Sequence, residues 1–171
     1  MPRFGGKCLI PYVNYEMNAD KTPILFFDTS ALVKRYHKEK GTDVVDAAFN
    51  QKGRKTISDI SVIEFFSAFA RKVRTGEMSK EDFQVTIKEF AEDIISGIIQ
   101  VEQFGEAEKG TAIALIEKYG LSKNLRTLDS MQMAVMKKVG LANIDCVYCA
   151  DQSFISILEE EGFSVINPEE G

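Results

Sequence analysis

The sequence predicts an α/β domain, a three-layer arrangement with a mainly parallel central sheet of about five strands and helices on both faces. Three observations lead there. Short apolar runs alternate with amphipathic, capped segments from residue 24 onward, the order that produces parallel strands joined by crossover helices. The run Ile24–Phe27 is apolar at every position, as expected of a strand buried on both faces. It stops abruptly in Asp28-Thr29-Ser30, which puts polar side chains at the carboxyl end of a buried strand, where open α/β sheets bind ligands.

The elements follow in order. Residues 1–22 show no clear period and carry Pro2, Gly5, Gly6 and Pro11; they read as an extension or arm outside a single domain at 23–171. After the strand Ile24–Phe27, Ser30 caps a helix that runs to about Lys38. Gly41 interrupts, and Thr42 caps a short helix through Asn50 with Val44, Val45, Ala48 and Phe49 on its apolar side. Lys55–Ile57 is a second strand, ending in Ser58 and Asp59. Val62, Phe65, Phe66, Phe69 and Val73 then fall on one helical face, with Ser61 as cap and Glu64 in the capping-box position of the first turn. Gly76 ends that helix. Ser79 caps the next, whose stripe is Phe83, Ile87, Phe90 and Ile94, and the two pack as a hairpin. Ile98–Val101 is a third strand and Glu106–Tyr119 a helix stopped by Gly120. Ser122–Asn124 opens a helix striped by Leu125, Leu128, Met131, Val135 and Val139 and stopped by Gly140. Asp145–Cys149 is a fourth strand, Asp151–Glu161 a helix and Phe163–Ile166 the last strand, closed by Asn167-Pro168.

Composition narrows the function classes. A chain of 171 residues fits one domain and buries roughly 68–70% of its unfolded surface, so it needs neither disulfide nor zinc to fold. No apolar run nears the ~20 residues of a membrane span, so no membrane partner is expected. Three cysteines, an odd number, and no leader-like pattern at the start point to a reducing cytoplasm. The net charge of −5 lends no support to non-specific DNA binding. Basic residues cluster at Lys34, Arg35, His37, Lys38 and Lys40, at Lys52, Arg54 and Lys55, and at Arg71, Lys72 and Arg74; each cluster alone reads as a solvated helix end or loop.

The chemistry lies in four acidic residues. Asp28 and Asp151 follow parallel strands, whose carboxyl ends share one sheet edge. Glu64 and Asp129 stand near the starts of helices that can face that edge. Each has a plain structural explanation: Glu64 as a capping-box residue, Asp151 as a helix cap, Asp129 as a solvated helix residue. Asp28 is left without a structural task if Ser30 is the cap. Taken together they make a crevice of like charge, and two carboxylates ~4 Å apart repel by about 4 kcal/mol at an effective dielectric of 20. Either protons or a cation must offset that. Oxygen ligands suit Mg²⁺ or Mn²⁺, whereas one His and no paired His–Cys spacing suit zinc poorly.

These residues carry a family resemblance. Phe26-Phe27-Asp28-Thr29-Ser30-Ala31-Leu32-Val33-Lys34-Arg35-Tyr36 resembles the opening of PIN domains, particularly the VapC-type toxins. Ser61-Val62-Ile63-Glu64, with Ala68 and Arg71, resembles the second acidic motif, Leu125 to Ala134 around Asp129 the third, and Tyr148-Cys149-Ala150-Asp151-Gln152-Ser153-Phe154 the fourth. Val165-Ile166-Asn167-Pro168 is similar to the usual tail. The likeness runs from about residue 24 to 168. It implies a five-stranded parallel sheet and a Mg²⁺- or Mn²⁺-dependent endoribonuclease that cleaves single-stranded RNA. It implies a metal site of Asp28, Glu64, Asp129 and Asp151, steadied by the Ser30 hydroxyl. For the toxin branch it implies a homodimer inhibited by a cognate antitoxin. Arg35, Lys38 and Arg126 are the candidates for holding the RNA backbone. Cys149 stands where many relatives have Thr or Ser, a weaker hydrogen-bond partner. Ser130-Met131-Gln132 replaces the commoner Ala-plus-His wording, a change expected to have no catalytic effect.

Other signals are weaker. Cys146 and Cys149 have C-x-x-C spacing but fall along a strand, not at a helix start, and read as core thiols. Gly105 to Thr111 has P-loop glycine spacing without its Lys and with two acids in the loop. His37 reads as a surface residue, and Met131, Met133 and Met136 as packing. Two rival functions stand beside the nuclease. One is a non-catalytic PIN-like module that binds RNA or protein. The other is a haloacid-dehalogenase-type phosphatase, which requires a second Asp where this chain has Ser30.

Overall fold

A computed structural model describes residues 22–170, so the reading of the first 22 residues as an arm lies, but for Thr22, outside the described residues. Strands β1 (Ile24–Phe27), β2 (Arg54–Ser58), β3 (Ile99–Glu102), β4 (Ile144–Tyr148) and β5 (Val165–Ile166) form one parallel sheet in the order β3-β2-β1-β4-β5. Helices α1 (Thr29–Tyr36), α2 (Thr42–Asn50), α3 (Asp59–Thr75), α4 (Lys80–Ile95), α5 (Glu106–Tyr119), α6 (Thr127–Val139) and α7 (Gln152–Glu160) cover it, and Pro168–Glu170 ends the described chain as a 3₁₀ turn. Among the described residues no helix is long and apolar enough to cross a membrane.

β1 is central, and its alternation divides the core. Ile24 and Phe26 pack with Leu115, Met133, Val147 and Phe154 on the face covered by α5, α6 and α7. Leu25 and Phe27 pack with Leu32, Val45, Phe65, Phe69 and Phe90 on the face covered by α1 to α4. Burial on both faces explains why all four positions are apolar. The pairing of β1 with β4 slips between Ile24 and Leu25. There the Asp145 carboxylate accepts the Ile24 N–H at 2.7 Å, replacing a ladder bond. The chain steps from β1 to β2 to β3 on one side and passes to β4 and β5 on the other, so the strand order reverses between β1 and β4. That switch point opens a crevice at their carboxyl ends.

Three helix caps differ from expectation, and in two of them, α1 and α3, the side chain nearest the strand end takes the cap. Asp28, not Ser30, caps α1, accepting the Ser30 N–H. Ser58, the last residue of β2, caps α3 by accepting the Ser61 N–H; Ser61 is inside the helix and buried. Glu64 therefore falls in the second turn and forms no capping box. Gly41, not Thr42, caps α2 at φ 88°; an added Cβ there would meet the Pro168 carbonyl at 2.5 Å. Thr42 Oγ1 instead accepts from Glu39 N at 3.0 Å and donates to the Lys34 carbonyl at 3.0 Å. Ser79 caps α4 as expected.

α6 begins at Thr127, later than the sequence pattern suggests, after a turn in which Asn124 takes φ 53°. Leu128 is 44% exposed, while Ser130 and Gln132 to Met136 are buried. The helix is enclosed on more than one side, which a single apolar stripe does not describe. Phe66 of α3 likewise points outward at 41% exposure, whereas Phe65 and Phe69 are fully buried. Phe65 stacks on Phe90 of α4 with ring centroids 3.9 Å apart, joining the helical hairpin. Lys34 is not solvated: it is 3% exposed and pairs with Glu39 at 2.9 Å and Glu169 at 2.6 Å. His37 is half-buried, beside Glu39 and the Phe69 ring.

Candidate active site

Asp28 sits at the switch point, 4% exposed. Its N–H donates to the Tyr148 carbonyl at 2.9 Å, extending the pairing of β1 with β4 by one residue. Its Oδ2 accepts from Ser30 N at 2.9 Å, from the Ser30 hydroxyl and, at 3.6 Å, from the Cys149 thiol. Ser30 and Cys149 thus address only one carboxylate oxygen. The Ser30 hydroxyl also accepts from Ala150 N at 2.9 Å, so it bridges the ends of β1 and β4. Burial pushes the Asp28 carboxyl above its ordinary value, with the Ser30 bonds opposing. Burial and the Asp28 charge also hold the Cys149 thiol well above its own. Cys146 is a core thiol as expected, but Cys149 belongs to the site.

Glu64 reaches the same crevice from α3. Its Oε2 accepts from Thr29 Oγ1 at 2.7 Å and from Gln132 Nε2 at 2.6 Å. Burial raises its pKa and the charge of Asp28 raises it further. Asp129, in the first turn of α6, titrates at about 6, pushed up by burial and then by Asp28 and Asp151, with Arg126 opposing. Asp151 caps α7: its Oδ1 accepts from Ser153 N at 3.0 Å, Ser153 Oγ at 2.5 Å and Phe154 N at 3.2 Å. Burial works against its ionisation, but those donors and Arg126 hold it below the ordinary value. Its Oδ2 lies 3.3 Å from the exposed Arg126 guanidinium.

The four acids therefore act on one another electrostatically: Asp28 raises Glu64 and Asp129, and Asp151 raises Asp129. Arg126 moderates the last three. Among the described residues no three His, Cys, Asp or Glu side chains already stand as a closed ligand group. The donor chemistry nevertheless fits a hard divalent cation, because every candidate ligand atom is a carboxylate oxygen. Burial is the first cause of the raised values of Asp28, Glu64 and Asp129, and the charge of Asp28 adds to it at Glu64 and Asp129. Arg35 and Lys38 lie elsewhere, toward the far end of α1. At 1.5 Å per helical residue, Arg35 is roughly 10 Å along the axis from Asp28. It pairs with Asp46 at 2.9 Å and lies over the Phe49 ring. Sequence reasoning passed over Thr29 and Gln132. The signal that could have flagged Gln132 was a polar residue within the inward-facing stretch of a helix.

Comparison with known proteins agrees with this architecture. A family model described as PIN domain matches residues 25–157. The toxin VapC20 of Mycobacterium tuberculosis, described as cleaving the sarcin–ricin loop, superposes with a TM-score of 0.64 at 17% identity, covering 84% of this chain and 99% of that one. FitAcB from Neisseria gonorrhoeae gives 0.58 at 16% identity, covering 84% and 97%. VapBC2 from Rickettsia felis, bound to a DNA fragment from its promoter, gives 0.56 at 14% identity, covering 84% and 98%. No curated protein matches the sequence.

Proposed function

Because the chain belongs to the PIN domain family, we propose that it is a Mg²⁺- or Mn²⁺-dependent endoribonuclease that hydrolyses phosphodiester bonds in single-stranded RNA. It acts as the toxin of a toxin–antitoxin pair, as a homodimer restrained by a cognate antitoxin. The observation that supports this reading is the electrostatic coupling of Asp28 to Glu64 and Asp129, and of Asp151 to Asp129, near the β1/β4 switch point, with Asp28, Glu64 and Asp129 made hard to ionise first of all by burial. The partner assignment draws on neighbours that are themselves toxin–antitoxin assemblies, among them a complex from Klebsiella pneumoniae.

In this reading Asp28 and Asp129 are the main ligands of the ion, and Asp151 and Glu64 complete its site or orient water. When bound, such an ion supplies activation of water and charge stabilisation at the phosphodiester. The chain's own groups do the rest. Ser30 and Cys149 hold Asp28 by Oδ2. The Ser153 and Phe154 donors hold Asp151 by Oδ1. Arg126, exposed at the rim and loosely paired with Asp151, binds a substrate phosphate. Arg35 and Lys38 contact RNA further along the strand. Residues 23–171 make up a single nuclease domain in this reading, with residues 1–22 as an appended arm.

The test is cleavage of a single-stranded RNA oligonucleotide by wild type and Asp28→Asn, each with Mg²⁺ or Mn²⁺ and with EDTA. Wild type should cut only with metal, and the variant should be inactive while its circular dichroism and melting stay native-like. Cleavage by Asp28→Asn at the wild-type rate, or cleavage that persists in EDTA, would overturn the mechanism.

A further inference from the structure

Gln132 lies on α6, 1% exposed, three residues after Asp129. A buried amide is costly unless both of its ends find partners. Its Oε1 accepts from the Ser61 hydroxyl at 3.0 Å. Its Nε2 donates to Glu64 Oε2 at 2.6 Å and to Thr29 Oγ1 at 3.2 Å. Ser61 Oγ is in turn 3.2 Å from Ser58 Oγ, the cap of α3. The Glu64 carboxylate can only accept, so the N–H₂ group is turned to it, and Oε1 is left to take the Ser61 hydroxyl. Thr29 Oγ1 donates to the same Glu64 oxygen at 2.7 Å. Two donors on one oxygen fix the carboxylate against rotation and leave Oε1 as its ligand atom.

We infer that Gln132 is a positioning residue that turns the free oxygen of Glu64 toward the carboxylate centre, so that divalent-metal affinity depends on a side chain one contact removed from the ion. This rests on the metal-nuclease reading above. The substitution in the third acidic motif, expected from sequence to be catalytically silent, becomes the element that ties α6 to Glu64 on α3. A hydrocarbon at 132 keeps the volume but removes the donor and leaves Glu64 held by Thr29 alone. Partners of metal ligands typically tune affinity by 10–100-fold.

The experiment measures Mn²⁺ binding to the full chain by electron paramagnetic resonance of free Mn²⁺, for wild type, Gln132→Leu, Ser61→Ala and Asp28→Asn. Cleavage of a single-stranded RNA oligonucleotide is followed in parallel. Gln132→Leu should bind Mn²⁺ about 10-fold or more weakly and lose kcat while KM for RNA stays within about twofold. A purely structural glutamine would change the melting temperature without that split. Ser61→Ala, which takes away the partner of Gln132 Oε1 and loosens the amide, should shift Mn²⁺ affinity in the same direction by less, and it carries the test if Gln132→Leu does not fold. Wild-type Mn²⁺ affinity in Gln132→Leu, or in a Ser61→Ala that must stand in for it, overturns the inference while Asp28→Asn still loses the ion. If Asp28→Asn also keeps the ion, the carboxylate-centre reading itself fails, and this inference fails with it.

Discussion

Asp129 offers a direct reading of the cost of assembling the four acids. Its carboxyl titrates at about 6 in the folded chain against an ordinary 3.8. A carboxyl raised in this way contributes stability that is fully present below the unfolded value and is lost as pH rises through the folded one. At 1.36 kcal/mol per pKa unit, the displacement from 3.8 to about 6 corresponds to about 3 kcal/mol. The group is only half-buried, and solvent screening reduces this to about 1–2 kcal/mol. Asp129→Asn removes the charge while keeping the shape of the protonated acid. In EDTA, urea unfolding of wild type should therefore lose about 1–2 kcal/mol between pH 4 and pH 8 relative to the variant. Above pH 7 the variant should be the more stable of the two, by about 2–8 °C in a melting experiment on a chain of this size. The variant should nonetheless cleave no RNA. Parallel pH profiles for the two proteins, or a variant less stable at pH 8, would refute the claim that ionising Asp129 in its half-buried place beside Asp28 costs stability.

The same linkage predicts how metal acts. Saturating Mn²⁺ should raise the melting temperature of wild type more at pH 8 than at pH 5, where a proton on Asp129 competes for the site; equal shifts at the two pH values would contradict this. Ser30→Ala removes the acceptor of the Ala150 N–H and a donor to Asp28. It should cost about 1–3 kcal/mol in urea unfolding and slow cleavage, and an unchanged unfolding midpoint would show that the hydroxyl bridges nothing of consequence. Asp28→Asn should abolish cleavage with the fold retained, as measured by the metal-dependence assay described above.

Much of the fold was legible because its signals are local. The unbroken apolar run Ile24–Phe27, the heptad-like Phe65/Phe69 face and the Gly76 stop each report their own element, and all three stand in the structure. What failed was also local in form but decided by tertiary contact. Ser30 and Ser61 look like caps, yet Asp28 and Ser58 hold those positions because the strand end delivers them first. Once Ser58 takes the cap, Glu64 is released from its helix start and bonds to Thr29 and Gln132 on other elements. Leu128 keeps the spacing of a buried residue but faces outward, since α6 is enclosed by neighbours that sequence periodicity does not represent. The four acids could be put forward as a group from sequence because strand ends and helix starts imply a shared edge. The coupling of Asp28 to Glu64 and Asp129, that of Asp151 to Asp129, and the moderating charge of Arg126 depend on distances that only the folded chain defines.

The position of β1 also sets a schedule. The strand bearing Asp28 is made early, yet one of its two neighbours, β4, spans Ile144–Tyr148, and Asp151 follows it. Closing the middle of the sheet must therefore wait until β4 has been made, the slow, long-range kind of pairing. A nascent or truncated chain that ends before β4 carries three of the acids with one flank of β1 bare and Asp28 without its Tyr148 and Cys149 contacts. The carboxylate cluster is thus completed only after β4 has joined β1.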